Sequence, residues 1–140
     1  MATLVAIAGV ILIAAGIVTW FAVEDQLAAE NITVSEDAAM LAGDEVDGPL
    51  SAYAQAEVIN EHALEATGGQ TYAELDQDDP DREVAMSASF LRASLFTSVV
   101  AFGVAAMAGG LGVVFLLVAV ALFALARAVS QRPVPSPAEA

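Results

Sequence analysis

The stretch Arg92–Arg127, RASLFTSVVAFGVAAMAGGLGVVFLLVAVALFALAR, carries charge only at its two ends. A bilayer core is crossed by about 20 residues of helix. The stretch is therefore apolar enough to span a membrane and longer than one span needs. A second apolar stretch, Ala2 to Val23, stands at the other end of the chain. As a helix it measures about 33 Å, enough to cross. No basic residue precedes it, and it outlasts the roughly 7–15 apolar residues of a signal peptide. No clean small-x-small cleavage site follows the apolar run before Glu24, so a retained helix is predicted. Trp20 and Phe21 lie at its C-terminal end, where aromatic rings favour the headgroup layer.

The composition is split in the same way. Of 140 residues 58% are hydrophobic, yet the formal net charge is −14. All the acidic residues except Glu139 lie between Glu24 and Glu83. This division predicts an all-α membrane protein: a two-transmembrane helical hairpin with extended helices and a small, mainly helical, acidic extracytoplasmic cap. The chain has no cysteine, which excludes disulfides, thiolate nucleophiles and cysteine metal sites. Its basic residues are four arginines, Arg82, Arg92, Arg127 and Arg132, with no lysine. A surface of this sign repels DNA and RNA.

Arg127 and Arg132 closely follow the second apolar stretch, which argues for a cytoplasmic C-terminus. A membrane potential negative inside favours keeping the carboxylates outside. Both termini are therefore expected in the cytoplasm, with residues 24–92 outside.

Between the spans, no Pro or Gly interrupts the chain from Gly16 to Gly43, so the first helix is expected to run over 1–30 and to stop near Asn31. Residues 31–79 form the expected cap. Within it Ile32-Thr33-Val34 suggests a short strand. Gly48-Pro49 predicts the start of a helix over 49–66, and Gly68-Gly69 its end. Asp79-Pro80 supplies an N-cap and a first-turn proline, with Asp81 and Glu83 suited to the helix dipole. One continuous helix is predicted over 80–128, about 73 Å long. The tail 129–140, with Pro133, Pro135 and Pro137, is expected to be disordered.

Helices in lipid meet closely through small residues. Ser98, Ala105, Gly112, Ala119 and Ala126 recur every seven positions, and the first stretch offers Ala2, Gly9 and Gly16 at the same interval. A seven-residue repeat keeps one seam facing a partner helix. These positions are the predicted helix-packing residues.

Chemistry is thinly represented. Glu57, Glu61 and Glu65 share a helix face, with His62 one step aside, and this is the best metal-binding candidate. Carboxylate-bridged metal bundles draw matching ligands from several helices, and His62 is the sole histidine. A solvated acidic face accounts for the four residues more simply. Asp76-Gln77-Asp78-Asp79-Pro80-Asp81 lacks the Gly and distal Glu of an EF-hand loop. There is no nucleophile-elbow motif and no Gly-rich phosphate loop. No catalytic residue and no cofactor are predicted.

Several cap segments carry a resemblance. Asn31-Ile32-Thr33-Val34-Ser35, Asp47-Gly48-Pro49, Ser51 to Ala56, His62 to Gly69, Thr71 to Asp76 and Phe90 to Phe96 together resemble small two-span actinobacterial membrane proteins. The resemblance covers about residues 4–127 and implies a bacterial plasma membrane. That group often bears the label "aromatic ring-opening dioxygenase". Such enzymes hold iron with two histidines and a carboxylate, which a chain with one histidine cannot assemble. No catalytic residue is carried over from the label.

The expected role is a non-catalytic accessory or structural subunit of a larger plasma-membrane complex, with respiratory assemblies as a place to look. With Arg127 at the inner interface, Leu95, Phe96, Val99, Val100 and Phe102 would stand at or above the outer surface. They need a cover, from the chain itself or from a partner, and so are the interface candidates. The alternative is a membrane-anchored acidic docking module for a cationic protein or cation. Lipids and other membrane subunits are the expected partners.

Overall fold

The computed structural model describes residues 1–131, and the proline-rich end of the tail lies outside that range. Three helices make up the secondary structure of the described residues: α1 (Ala2–Ala29), α2 (Pro49–Ala66) and α3 (Arg82–Ser130). The chain divides into two compact units, one of Met1–Ile17 with Met107–Ala140, the other of Val18–Ala106.

α1 and α3 are each long and apolar enough to cross a membrane. Only 11% of the most apolar window of either helix is buried within the protein. A core helix of a soluble protein would bury most of such a window. Here Leu4, Val10, Val18, Leu117 and Val120 present their side chains outward, a surface suited to hydrocarbon.

In the first unit α1 and α3 approach at two glycines. A Cβ on Gly112 would lie 2.6 Å from the Gly9 carbonyl oxygen, and a Cβ on Gly9 would lie 2.8 Å from that of Gly112. Ile13 and Leu116 close over the same point. The backbones touch because neither residue has a side chain to hold them apart.

The second unit contains the core. Leu27 of α1, Val34 and Val46 of the following loop, Ala52, Ala54 and Ala56 of α2, and Leu95 and Phe102 of α3 form one buried cluster. Trp20 meets Phe102 edge-on at 4.8 Å. Small alanines on α2 allow it to lie close to these larger side chains.

The ends of the helices follow local chemistry, with three departures from the sequence reading. α1 stops at Ala29, and Asn31 takes a left-handed conformation with φ 53° while its side chain donates to the Ala29 carbonyl. Ile32-Thr33-Val34 does not form a strand; Thr33 makes an isolated antiparallel bridge with Glu45, closed by Val34 N–H to Asp44 O and Val46 N–H to Ile32 O. Too few residues pair for a ladder, because Gly43 and Leu41 turn the chain through positive φ beside it. α3 starts at Arg82 rather than Pro80. The Asp79 carboxylate accepts from the Asp81 N–H at 2.8 Å, which holds residues 79–81 as a turn ahead of the helix. At its far end α3 continues to Ser130, two residues past the expected limit.

α2 begins at Pro49, and Gly48 before it has no side chain to cap with. The Ser51 hydroxyl serves instead, accepting from the Gly48 N–H at 3.1 Å and the Asp47 N–H at 3.3 Å. At the other end Gly68 has φ 63°, and the Gly69 N–H returns to the Leu64 carbonyl. This is the paired closure that a left-handed glycine permits.

Candidate functional site

The structure separates the four acidic-face residues by role. His62 Nε2 lies 2.6 Å from Asp37 Oδ2, in the loop before α2, and this is the only ion pair among the described residues. Glu57, Glu61 and Glu65 do not converge with it; no group of three or more potential ligands gathers among the described residues. The Asp37 hydrogen bond holds the His62 pKa above its ordinary value, and the charges of Asp37, Glu65 and Glu61 push it the same way. Reciprocally, the hydrogen bond with His62 lowers Asp37, aided by its own backbone N–H. Glu74 is also lowered, because the Thr71 N–H and hydroxyl both donate to it at 2.8 Å.

These directions set a pH window. His62 is raised, so its contribution to stability is complete below about pH 6.5 and fades as pH rises through the raised value. Asp37 is lowered, so its contribution is complete above about pH 3.9 and fades as pH falls through the lowered value. The tether between the loop and α2 is therefore strongest between the two. Both partners are solvent-exposed, so the effect on stability is small and weakened by salt. His62, as the sole histidine, gives one set of imidazole signals in an NMR titration. They should titrate above the ordinary histidine value and move back towards it in Asp37→Asn; an unchanged midpoint in that variant would remove the pair.

The arginines are used in an unexpected way. Arg82 lies among carboxylates but donates to the Leu75 carbonyl at 2.7 Å and the Tyr72 carbonyl at 3.3 Å, with its guanidinium 4.1 Å from the centre of the Tyr72 ring. Arg92 donates from Nε to the Ala56 carbonyl of α2 at 3.3 Å and lies over Phe96. Both pin backbone to α3. Neither neutralises a carboxylate, so the acidic charge of the segment is left facing solvent.

Of the helix-packing residues, Gly9, Gly16, Ala105, Gly112 and Ala119 are buried, while Ala2 and Ser98 are half-buried. Gly9 and Gly112 are brought into direct contact. Ala126 is exposed.

The interface candidates require correction. Leu95 is 4% exposed and Phe102 1%, both inside the chain's own core, and Phe96 and Val99 pack against that core. α2, α1 and the loop between them supply the cover, so these four residues are not a free surface. Val100 alone of that group stays open, at 64%.

The open apolar surface lies nearer the start of α3. Phe90 is 73% exposed and shares a shallow face with Tyr72, Met86 and Ala93. On another side of the helix, a groove of about 480 Å³ runs between α2 and α3. Ile59 and Ala63 of α2 line it with Val84, Ala88 and Leu91 of α3, and His62, Glu83 and Ser87 add polar atoms. Sequence reading missed both surfaces and the Asp37 partner. Asp37 lies 25 residues from His62, and no periodicity links a loop residue to a helix that far away.

No known protein family, curated protein or solved structure matches this chain.

Proposed function

We infer that the protein is a non-catalytic accessory or structural subunit of a larger bacterial plasma-membrane complex. In this reading α1 and the later part of α3 form a transmembrane hairpin with both termini in the cytoplasm. Residues 24–92 form an acidic extracytoplasmic cap. The bacterial plasma membrane is also what the resemblance of the cap segments to small two-span actinobacterial proteins implies.

The observation that carries the reading is the position of Phe90. It lies about 18 Å along the helix from Phe102, whose ring rests on Trp20. Tryptophan settles at the headgroup layer. A phenylalanine so far beyond that layer cannot be covered by hydrocarbon, and the chain itself leaves it 73% exposed beside Met86. A partner subunit standing beside α3 supplies the missing cover.

Purification from native membranes in mild detergent should show the protein migrating with a large complex, and Phe90→Asp should release it as a small species. A clean monomer from wild-type membranes would overturn the assignment. Respiratory assemblies, with their many small subunits, are the first place to look.

A second reading is a free-standing docking cap for a cationic protein or cation. It is favoured by Arg82 and Arg92, which bond to carbonyls and leave the carboxylates without an arginine partner. Long-range attraction of this kind weakens steeply with salt. Binding that survives high ionic strength unchanged would remove this second reading.

A further inference from the structure

The geometry points to the groove between α2 and the first turns of α3 as the seat of a basic, apolar-faced segment of a partner protein. The inference rests on the subunit reading above and adds to it the surface and the chemistry of the partner.

The floor of the groove is apolar: Ile59, Ala63, Val84, Ala88 and Leu91. Its volume of about 480 Å³ suits inserted side chains rather than a whole domain. Leu91 is 54% exposed, so the groove is open from outside. In the subunit reading Leu91, about 16 Å along α3 from Phe102, stands beyond the headgroup layer marked by Trp20. Lipid tails do not reach it.

The charge around the floor decides the occupant. Glu83 is the carboxylate that lines the groove; Glu61 and Glu65 lie outside the lining, exposed on α2 and near enough for their charges to act on His62. The one basic group at the wall, His62, is already paired with Asp37. The two arginines of the segment are engaged by backbone carbonyls. A second copy of the chain, itself at −14, would bring carboxylates against carboxylates. A segment with apolar side chains to fill the floor and Lys or Arg at its edges satisfies both features. This is the arrangement by which an amphipathic helix fills an apolar groove.

The test uses the full chain in native membranes. A photo-crosslinking residue, p-benzoylphenylalanine, replaces Leu91 in one variant and the exposed Gln26 of α1 in another as control. The expected result is a cross-link from position 91, absent from position 26, to one protein. The cross-linked peptide should combine apolar residues with net positive charge. The cross-link should be lost in membranes solubilised at about 1 M salt, where the Debye length is about 3 Å. It should also be lost when Val84→Arg is added, which fills the floor and sets like charge against the segment, while Trp20 emission and helical content stay unchanged. A cross-link only to lipid, to a second copy, or to a neutral or acidic peptide would overturn the proposal. So would a cross-link indifferent to Val84→Arg. If the large complex persists while position 91 captures no protein, the subunit reading stands and the groove assignment falls. If the native protein is monomeric, the subunit reading falls first.

Discussion

Phe102→Ala should cost about 3–5 kcal/mol, the range for removing a large aromatic from a packed core. Phe102 is 1% exposed and belongs to the cluster that joins α1, α2, α3 and the loop carrying Val34 and Val46. The truncation leaves a void beside Trp20, and a cluster with three alanines among its members has few long side chains to fill it, so collapse recovers little of the loss. Trp20 provides the readout. It is the sole tryptophan of the chain, and its ring meets Phe102 edge-on at 4.8 Å. In detergent, denaturant titration followed by Trp20 emission should show an earlier midpoint and an altered native spectrum. Phe102→Leu, which keeps most of the volume, should lie between the variant and the wild type. A midpoint within error of wild type for Phe102→Ala would mean that the cluster does not hold these elements together.

Gly112→Leu is the second large effect. The first atom of any side chain there would meet the Gly9 carbonyl oxygen at 2.6 Å and the Ile13 amide nitrogen at 2.9 Å. Both are backbone atoms, so the collision cannot be relieved by turning a rotamer. The helices must separate or shift, at about 1–3 kcal/mol or more. Because the chain has no cysteine, spin labels on Leu4→Cys and Val120→Cys, both exposed in the same unit, read the separation directly. The interspin distance should lengthen and broaden in Gly112→Leu, and by less in Gly112→Ala. Gly110→Leu is the matched control, since no atom lies within 4 Å of a Cβ there. Equal behaviour of the two leucine variants would show that Gly112 is merely one small residue among many.

This contrast between neighbouring glycines marks a limit of the sequence. The seven-residue series singles out Ala2, Gly9, Gly16, Ser98, Ala105, Gly112 and Ala119; five of these are buried, and Ala2 and Ser98 are half-buried. Ala126, in the same series, is exposed, because a repeat describes a helix face and carries no information on how far a neighbour extends along it. Gly109 and Gly110 are as small as Gly112, yet they meet nothing. A second glycine opposite is what turns a small residue into a contact.

The apolar residues in the first half of α3 follow the same pattern. Leu95, Phe96, Val99 and Phe102 needed a cover, and their sequence says so. That the cover is α2 and the loop after α1 is settled by three alanines, Ala52, Ala54 and Ala56, that let α2 come close. Once those residues are sheathed, the unpartnered surface moves toward the start of α3, to Phe90 and to the groove at Leu91. Neither position is distinguishable in the sequence from the apolar residues that became core.

The sequence by itself determined the helical class, the two long apolar helices and the main breaks between elements. These depend on local chemistry: runs without charge, Pro49 at a helix start, and Gly68 where a left-handed backbone is required. The tertiary structure alone decided which glycines touch, which apolar side chains are core, that His62 pairs with Asp37, and that Arg82 and Arg92 grip carbonyls rather than carboxylates. Each of these joins residues far apart in the chain. Composition can say that such a group needs a partner; only the packing of helices against one another selects which partner it meets.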